Sequence, residues 1–332
     1  MMIFSLQQAC WSSKISRGGT HFPLRPAFHS LFQQQKAFQI LTVPDAREAT
    51  VRRPWKPAFY NPGPMSFTPN GRVTALIRVH PGLVRLRVRP DGRPLDWQAG
   101  QYTFLGLHGD RQPYSISSPI LAADGHSLLA ADDPELEFYV RTDDGTLGPA
   151  LGTLTSGDPL EVGPEVAGHC TLGDISLDVD VLLCATGTGE APHNAMIAEL
   201  LRRGQKGRIG AVVSCRLEED LAYREIHHRL AEKYANYSYL AFATREGSHA
   251  GRHIQDLLKD GTLARLTGVR LASGAVHVFL CGNSAMVGRP TREDGRWVYP
   301  SGPGLTELLV TDHGLRPQGP DGAFDIHFER YD

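Results

Sequence analysis

Near residue 175 the grammar of this chain changes, and the change limits the folds open to it. Before it, apolar residues recur with a period of two: Val73 to Val79, Leu83 to Val88, Tyr102 to Leu107, Tyr114 to Ser117, Leu136 to Val140 and Leu160 to Val162. Turn pairs such as Asp91-Gly92, Ala99-Gly100 and Asp144-Gly145 separate these runs. Short alternating segments of this kind predict an antiparallel six-stranded β-barrel. After it, continuous apolar runs at Val181 to Ala185, Ile209 to Cys215, Tyr237 to Ala243 and Val276 to Cys281 alternate with helical stretches at Pro192 to Arg203, Leu221 to Tyr234 and Arg252 to Lys259. Strands buried on both faces and joined by helices predict an α/β doubly wound parallel sheet. A further helix, Leu305 to Thr311, leads to a fifth strand at Phe324 to Phe328. The expected organisation is two-domain: an extension over 1–66, a barrel over 67–172 and an α/β domain over 173–332.

Composition bounds the partners. With 332 residues and 41% hydrophobic content there is material for two cores. A net charge of -2 and a pI near 6.7 give no global attraction to nucleic acid or anionic membrane, and no apolar run reaches spanning length. A cytoplasmic monomer is expected. The five cysteines stand far apart without a CxxC pair, so no metal or iron-sulfur site is expected, and a redox group here has to be organic. Residues 1–44 carry Lys14, Arg17, Arg25 and Lys36 and no acid. That composition suits a targeting segment; a disordered extension ending in the Pro54 to Pro64 linker, with Met65 as the true start, is the plainer expectation.

Three stretches carry candidate chemistry. Thr186-Gly187-Thr188-Gly189-Glu190-Ala191-Pro192 follows a strand and opens a helix, where glycines allow a tight turn and free N–H groups favour a diphosphate. Such a turn also occurs without a ligand. In the barrel half, Arg111 precedes Pro113-Tyr114-Ser115-Ile116-Ser117-Ser118. An aromatic face can stack on a flavin and a hydroxyl can bond near its N5, although a tyrosine on a barrel strand more often packs the core. Asp144-Gly145-Thr146-Leu147-Gly148-Pro149-Ala150-Leu151 is a second glycine-rich turn into a short helix. Two cradles, one per half, are what a dinucleotide flavin plus a nicotinamide dinucleotide would require.

PYSISS, LEFYV, DGTLGPALGTLTSGD, TGTGEAP, TREGSHAGR, LCGN and a terminal ERY occur in one order, and by that order the chain, from about residue 67, resembles the ferredoxin-NADP reductase family. The likeness is greatest to the bacterial ferredoxin/flavodoxin-NADP reductases. It implies an FAD-binding barrel, an NADP(H)-binding α/β domain, electron transfer from NADPH through FAD, and ferredoxin or flavodoxin as partner. By position it implies Tyr114, Ser115 and Ile116 along the flavin, Phe138, Tyr139 and Val140 flanking it, and Gly145, Thr146, Leu147 and Gly148 at its diphosphate. Thr188 and Gly189 fall at the NADPH diphosphate, and Arg245 and Arg252 at its 2'-phosphate, with Arg216 and Tyr223 assisting. Cys281 and Gly282 fall beside the nicotinamide, Tyr331 over the flavin, and Glu329 two residues earlier as the family's acid. The roles implied for Ser115, Cys281, Glu329 and Tyr331 are orientation and electrostatic tuning.

Three positions depart from the family pattern. Gln112 stands where an arginine pairs with the FAD diphosphate, and Arg111, one residue off, replaces it only through a bulge. Gly148 stands for a serine or threonine, and Asp332 for a tryptophan. The row Arg85, Arg87, Arg89 reads either as a dock for an acidic carrier or as the barrel's solvent face. Arg289 to Gly302 reads as an inserted loop. Two other functions stay open: a reductase serving an oxygenase or another acceptor, and a nucleotide-binding regulatory relative with weakened FAD binding.

Overall fold

The computed structural model describes residues 68–288, 291–293, 296–298, 303–318 and 324–331, without the side chains at 292, 296, 297 and 331. The extension, most of the inserted loop, the Tyr331 ring and Asp332 lie outside the described residues.

Strands β1 (Gly71–His80), β2 (Leu83–Pro90), β3 (Tyr102–Leu107), β4 (Asp110–Ser115), β5 (Leu136–Arg141) and β6 (Pro159–Ala167) form a six-stranded sheet in the order β4-β3-β6-β1-β2-β5. An antiparallel bridge between Ile116 and Phe138 brings its two edges together, closing the expected barrel. The β3–β4 hairpin turns through His108 and Gly109, both at positive φ (54° and 86°), the backbone of a two-residue turn whose twist matches the strands. Inward residues such as Val84, Leu86, Leu105, Phe138, Val140 and Leu160 make the barrel core, and Leu147 and Leu151 of the short helix α1 (Leu147–Leu151) plug it.

The second sheet is parallel, ordered β13-β10-β7-β8-β9. It contains β7 (Asp180–Thr186), β8 (Ile209–Cys215), β9 (Tyr237–Ala243), β10 (Val276–Asn283) and β13 (Ile326–Tyr331). Helices α2 (Glu190–Arg203), α3 (Arg224–Lys233), α4 (Ile254–Lys259), α5 (Thr262–Thr267) and α7 (Leu305–His313) cover it. A single turn, α6 (Ser284–Val287), follows β10, and the inserted stretch contains an antiparallel pair, β11 (Thr291–Glu293) and β12 (Arg296–Val298). The doubly wound sheet is thus as expected, with α5 and the β11–β12 pair added. Barrel and sheet share a core: Leu83, Ile120, Tyr139, Cys170 and Leu172 pack in one cluster with Val181, Leu183, Ile197 and Phe279. Both halves fall within one compact unit, Asn61–Asp332.

Candidate active site

Strand β7 lies between β8 and β10, so the chain leaving β7 and the chain leaving β10 depart to opposite sides and open a crevice at the carboxyl ends of the strands. Gly187, with φ at +54°, turns the backbone out of β7. A Cβ on Gly189 would stand 2.4 Å from the Cys281 carbonyl oxygen, and one on Gly282 2.2 Å from Thr186 Oγ1. The Asn283 N–H donates to that same hydroxyl at 2.9 Å. Gly189 and Gly282 therefore let the two turns press together, which is a tighter constraint than the approach to a ligand that their sequence positions suggested.

The crevice opens into a cleft of about 500 Å³ floored by Gly187, Thr188, Gly282 and Asn283. Leu83, Tyr139 and Arg141 face it from the barrel. Arg216 and Arg245 line its β8–β9 side, and the Arg245 N–H donates to the Arg216 carbonyl at 3.1 Å, so the two are neighbours. Both are exposed and turned to solvent, where an anionic group can reach them. The sequence paired Arg245 with Arg252 and had Arg216 assist; the Arg252 guanidinium is engaged by Asp260, and Arg216 lies beside Arg245. His253, also in the cleft wall, carried no signal in the sequence beyond following Arg252.

Cys281 is buried near the end of β10, with Ala185 and Glu329 as its register partners on the flanking strands. The Oε2 atom of Glu329 is buried with no hydrogen-bond partner among the described residues, and burial pushes this carboxyl up to about 7. Burial and the proximity of Glu329 also raise the Tyr102 hydroxyl. Tyr331 ends β13 opposite Asn283.

On the barrel side the register of β3 with β4 runs unbroken from Tyr102↔Ser115 to Leu107↔Asp110. Without a bulge, Asp110, Gln112 and Tyr114 share one face and Arg111 takes the other. Gln112 Nε2 donates to Thr146 Oγ1 at 3.1 Å, and that hydroxyl donates in turn to Asp110. The Arg111 guanidinium lies over the Phe104 ring at 4.7 Å, with Glu161 and Glu165 at 3.8 and 3.6 Å. Arg111 therefore does not substitute for the missing arginine at the 145–148 turn. Gly148 has a packing cause: a Cβ there would meet the Arg141 carbonyl oxygen at 2.2 Å. Tyr114 is half-buried against the barrel core, and burial with Asp110 nearby raises its hydroxyl to about 12. Tyr139 points to the cleft, its hydroxyl donating to the Asp220 carbonyl at 2.6 Å. Ile116, Phe138, Val140 and Leu147 point into the barrel, leaving only their backbones to face a ligand.

The sequence did not disclose a buried polar chain that joins the two sheets. Tyr237 donates to His227 Nδ1 at 2.7 Å, and His227 Nε2 to Asn194 Oδ1 at 2.8 Å. Asn194 Nδ2 donates to Ser117 Oγ at 3.0 Å, Ser117 to Tyr223 Oη at 3.2 Å, and Tyr223 to Glu137 Oε1 at 2.9 Å. The direction follows from the ends: Glu137 only accepts, and a His227 whose pKa burial drops to about 3 is a neutral ring with one donor and one acceptor. Arg85 bonds Glu137 twice, at 3.2 and 3.1 Å, and Arg87 once, at 2.8 Å. Arg85 is buried and lies 4.5 Å over the Tyr223 ring, so this end of the arginine row is neither a docking strip nor a solvent face. Tyr223 is itself fully buried and does not assist at the cleft. Beside this chain, Glu190 opens α2 with Oε1 accepting from Tyr239 at 2.8 Å and Oε2 buried without a hydrogen-bond partner among the described residues.

Comparison with known proteins agrees with this architecture. Residues 183–290 match the oxidoreductase NAD-binding domain family. The chain is 30% identical over 227 residues to the flavodoxin/ferredoxin--NADP reductase of Escherichia coli (strain K12), covering 65% of this chain and 86% of that protein. It is 29% identical over 225 residues to the phenol 2-monooxygenase reductase component DmpP of Pseudomonas sp. (strain CF600), covering 65% of this chain and 58% of that one. In fold it is similar to a ferredoxin NADP+ reductase from Neisseria gonorrhoeae solved with bound FAD and NADP, with a TM-score of 0.63 and 19% identity over 80% of this chain and 99% of that chain. A barrel closed beside a five-stranded parallel sheet, a switch-point crevice and this likeness in sequence lead to one family: the chain belongs to the flavodoxin/ferredoxin-NADP reductases.

Proposed function

We propose that the protein oxidises NADPH through a bound FAD and passes the electrons singly to a ferredoxin or flavodoxin. The observation that carries this reading is the cleft in which the Gly187–Gly189 turn, the Cys281–Asn283 turn, the Arg216–Arg245 pair and the barrel residue Tyr139 come together. When bound, FAD supplies a ring that accepts a hydride and gives up electrons one at a time. The chain's own residues bind and orient. Thr188 and the backbone N–H groups at the start of α2 hold the nucleotide diphosphate at the positive end of a 14-residue helix. Arg216 and Arg245 hold a 2'-phosphate through charge-assisted bonds, which gives preference for NADPH over NADH. Cys281 and Gly282 shape the nicotinamide end, and Tyr114, Ser115 and Tyr331 border the flavin ring.

The ring end of the site suits a flavin. Glu329 Oε2 is buried with no hydrogen-bond partner among the described residues, a polar group that a bound ligand would satisfy, and its carboxyl, raised to about 7 by burial, exchanges its proton near neutral pH. A monooxygenase as the electron acceptor is the second reading, favoured by the likeness to the phenol 2-monooxygenase reductase component. NADPH-driven cytochrome c reduction, with and without added ferredoxin or flavodoxin, decides between them. Turnover that rises with the carrier supports the first reading, and turnover indifferent to it supports the second.

A further inference from the structure

The diphosphate end of the flavin site differs in character from the ring end. The face of β4 turned to the 145–148 turn carries Asp110 and Gln112, and Arg141, which precedes the turn, is paired with Asp143 at 2.7 Å. The Gly145 N–H, which an anion would use, already donates to Asp144 Oδ1 at 2.8 Å. Thr146 Oγ1 is engaged by Gln112 and Asp110 together. Helix α1 is five residues long and brings only a weak dipole. Arg111, the near substitute, is fixed on the opposite face against Phe104 and Glu165, and the unbroken β3–β4 register prevents it from turning inward. An anionic diphosphate here meets three carboxylates, Asp110, Asp143 and Asp144, while the two nearby arginines named, Arg111 and Arg141, are each held by carboxylates.

We propose that this chain recognises its flavin by the ring system and not by the diphosphate, so that FAD, FMN and riboflavin bind with similar affinity and exchange with one another. The proposal rests on the flavoprotein reading above and specifies which part of the ligand that site selects. Gln112 and Asp110 are the residues that set this selectivity: the adenylate half of FAD, lacking a cationic anchor, contributes little to binding.

The test is the dissociation constant of each flavin for the full-length protein stripped of ligand, read from the change in flavin fluorescence. The three constants are expected to agree within about tenfold. Gln112→Arg supplies the missing cation and is expected to tighten FAD at least about tenfold while leaving riboflavin unchanged. Asp110→Asn moves FAD in the same direction by a smaller factor, and covers the case in which the arginine variant fails to fold, which far-ultraviolet circular dichroism reports. An FAD constant about a hundredfold or more below that of riboflavin in the unaltered protein overturns the proposal. So does a folded Gln112→Arg variant with unchanged FAD affinity. Should none of the three flavins bind, the flavoprotein reading itself fails and takes this inference with it, a result distinct from tight, FAD-selective binding.

Discussion

The side-chain amide of Asn194 on α2 donates to the hydroxyl of Ser117, just beyond β4, at 3.0 Å, and both residues are fully buried. One end of this bond follows directly on the strand that carries Tyr114 and Ser115, and the other belongs to the helix that begins at the Gly187–Gly189 turn. It therefore ties the two halves of the candidate site to each other through the polar chain from Tyr237 to Glu137. Buried polar groups of this kind gain little when satisfied and cost much when one partner is removed.

Asn194→Leu leaves the His227 Nε2–H without its acceptor and the Ser117 hydroxyl without one of its two partners, and is expected to cost about 2–4 kcal/mol of stability. Urea unfolding of Asn194→Leu, Ser117→Ala and the double variant forms a cycle. A coupling of about 1 kcal/mol or more is expected between the two sites, and strict additivity would deny the bond any energetic role.

Glu190 makes a pH prediction. Burial raises its carboxyl to about 7, with the Tyr239 hydrogen bond and Arg85 pulling it back down. Around it stand Tyr139, Cys215, Tyr237 and Tyr239, together with the neutral His227 ring at 3.5 Å. A carboxyl with a folded pKa above its unfolded one binds more protons in the folded state. Its contribution is thus complete below the unfolded pKa of 4.5 and is lost as pH rises through about 7. Glu190→Gln is expected to be the more stable protein at pH 8 by roughly 2–3 kcal/mol and to reduce the slope between pH 5 and 8 to the share that Glu329, also raised to about 7, contributes. Thermal melts across that range test it, and parallel curves for the two proteins would refute the assignment.

The arginines can be separated. Arg216→Ala and Arg245→Ala, both at the cleft, are each expected to raise KM for NADPH about tenfold or more while leaving NADH nearly unaffected. Arg252→Ala, whose side chain is engaged by Asp260, is expected to change it less than about threefold. Steady-state kinetics with both nucleotides read this, and a larger effect at Arg252 than at Arg216 would reverse the assignment.

Gly189→Ala drives a methyl into the Cys281 carbonyl at 2.4 Å, against backbone and not against a mobile side chain. The two turns must part. A loss of about 2–3 kcal/mol and much weaker binding of 2',5'-ADP, followed by calorimetry, are expected. Retention of both would mean that the turns are not packed as described.

How far the sequence discloses this molecule depends on the range of the interaction. Strand β8 ends where its apolar run ends, because a strand buried on both faces writes its limits locally; β9, at the sheet edge with a half-buried middle, also matches the bounds of its apolar run. Helix α5 escapes notice because six residues between Gly261 and Gly268 are too few to display a period. The first half of β4, Asp110 to Gln112, is polar and is fixed by pairing with β3, a partner that a local pattern does not reveal. The candidate site divides in the same way. The glycine turns are legible from their strand-to-helix context, but Arg85 looked like a solvent-face residue because Glu137, its partner, is 52 positions away. Ser117 and Tyr223 are 106 positions apart, and no spacing rule connects them.

The central claim is that NADPH reduces a flavin held by this chain. The most direct measurement is anaerobic mixing of the FAD-loaded protein with NADPH and, separately, with NADH, while the visible absorbance of the flavin is followed. Rapid bleaching by NADPH, restored on adding oxidised ferredoxin or flavodoxin and at least about tenfold faster than with NADH, is the predicted result. An FAD-loaded protein whose absorbance NADPH leaves unchanged would contradict the account.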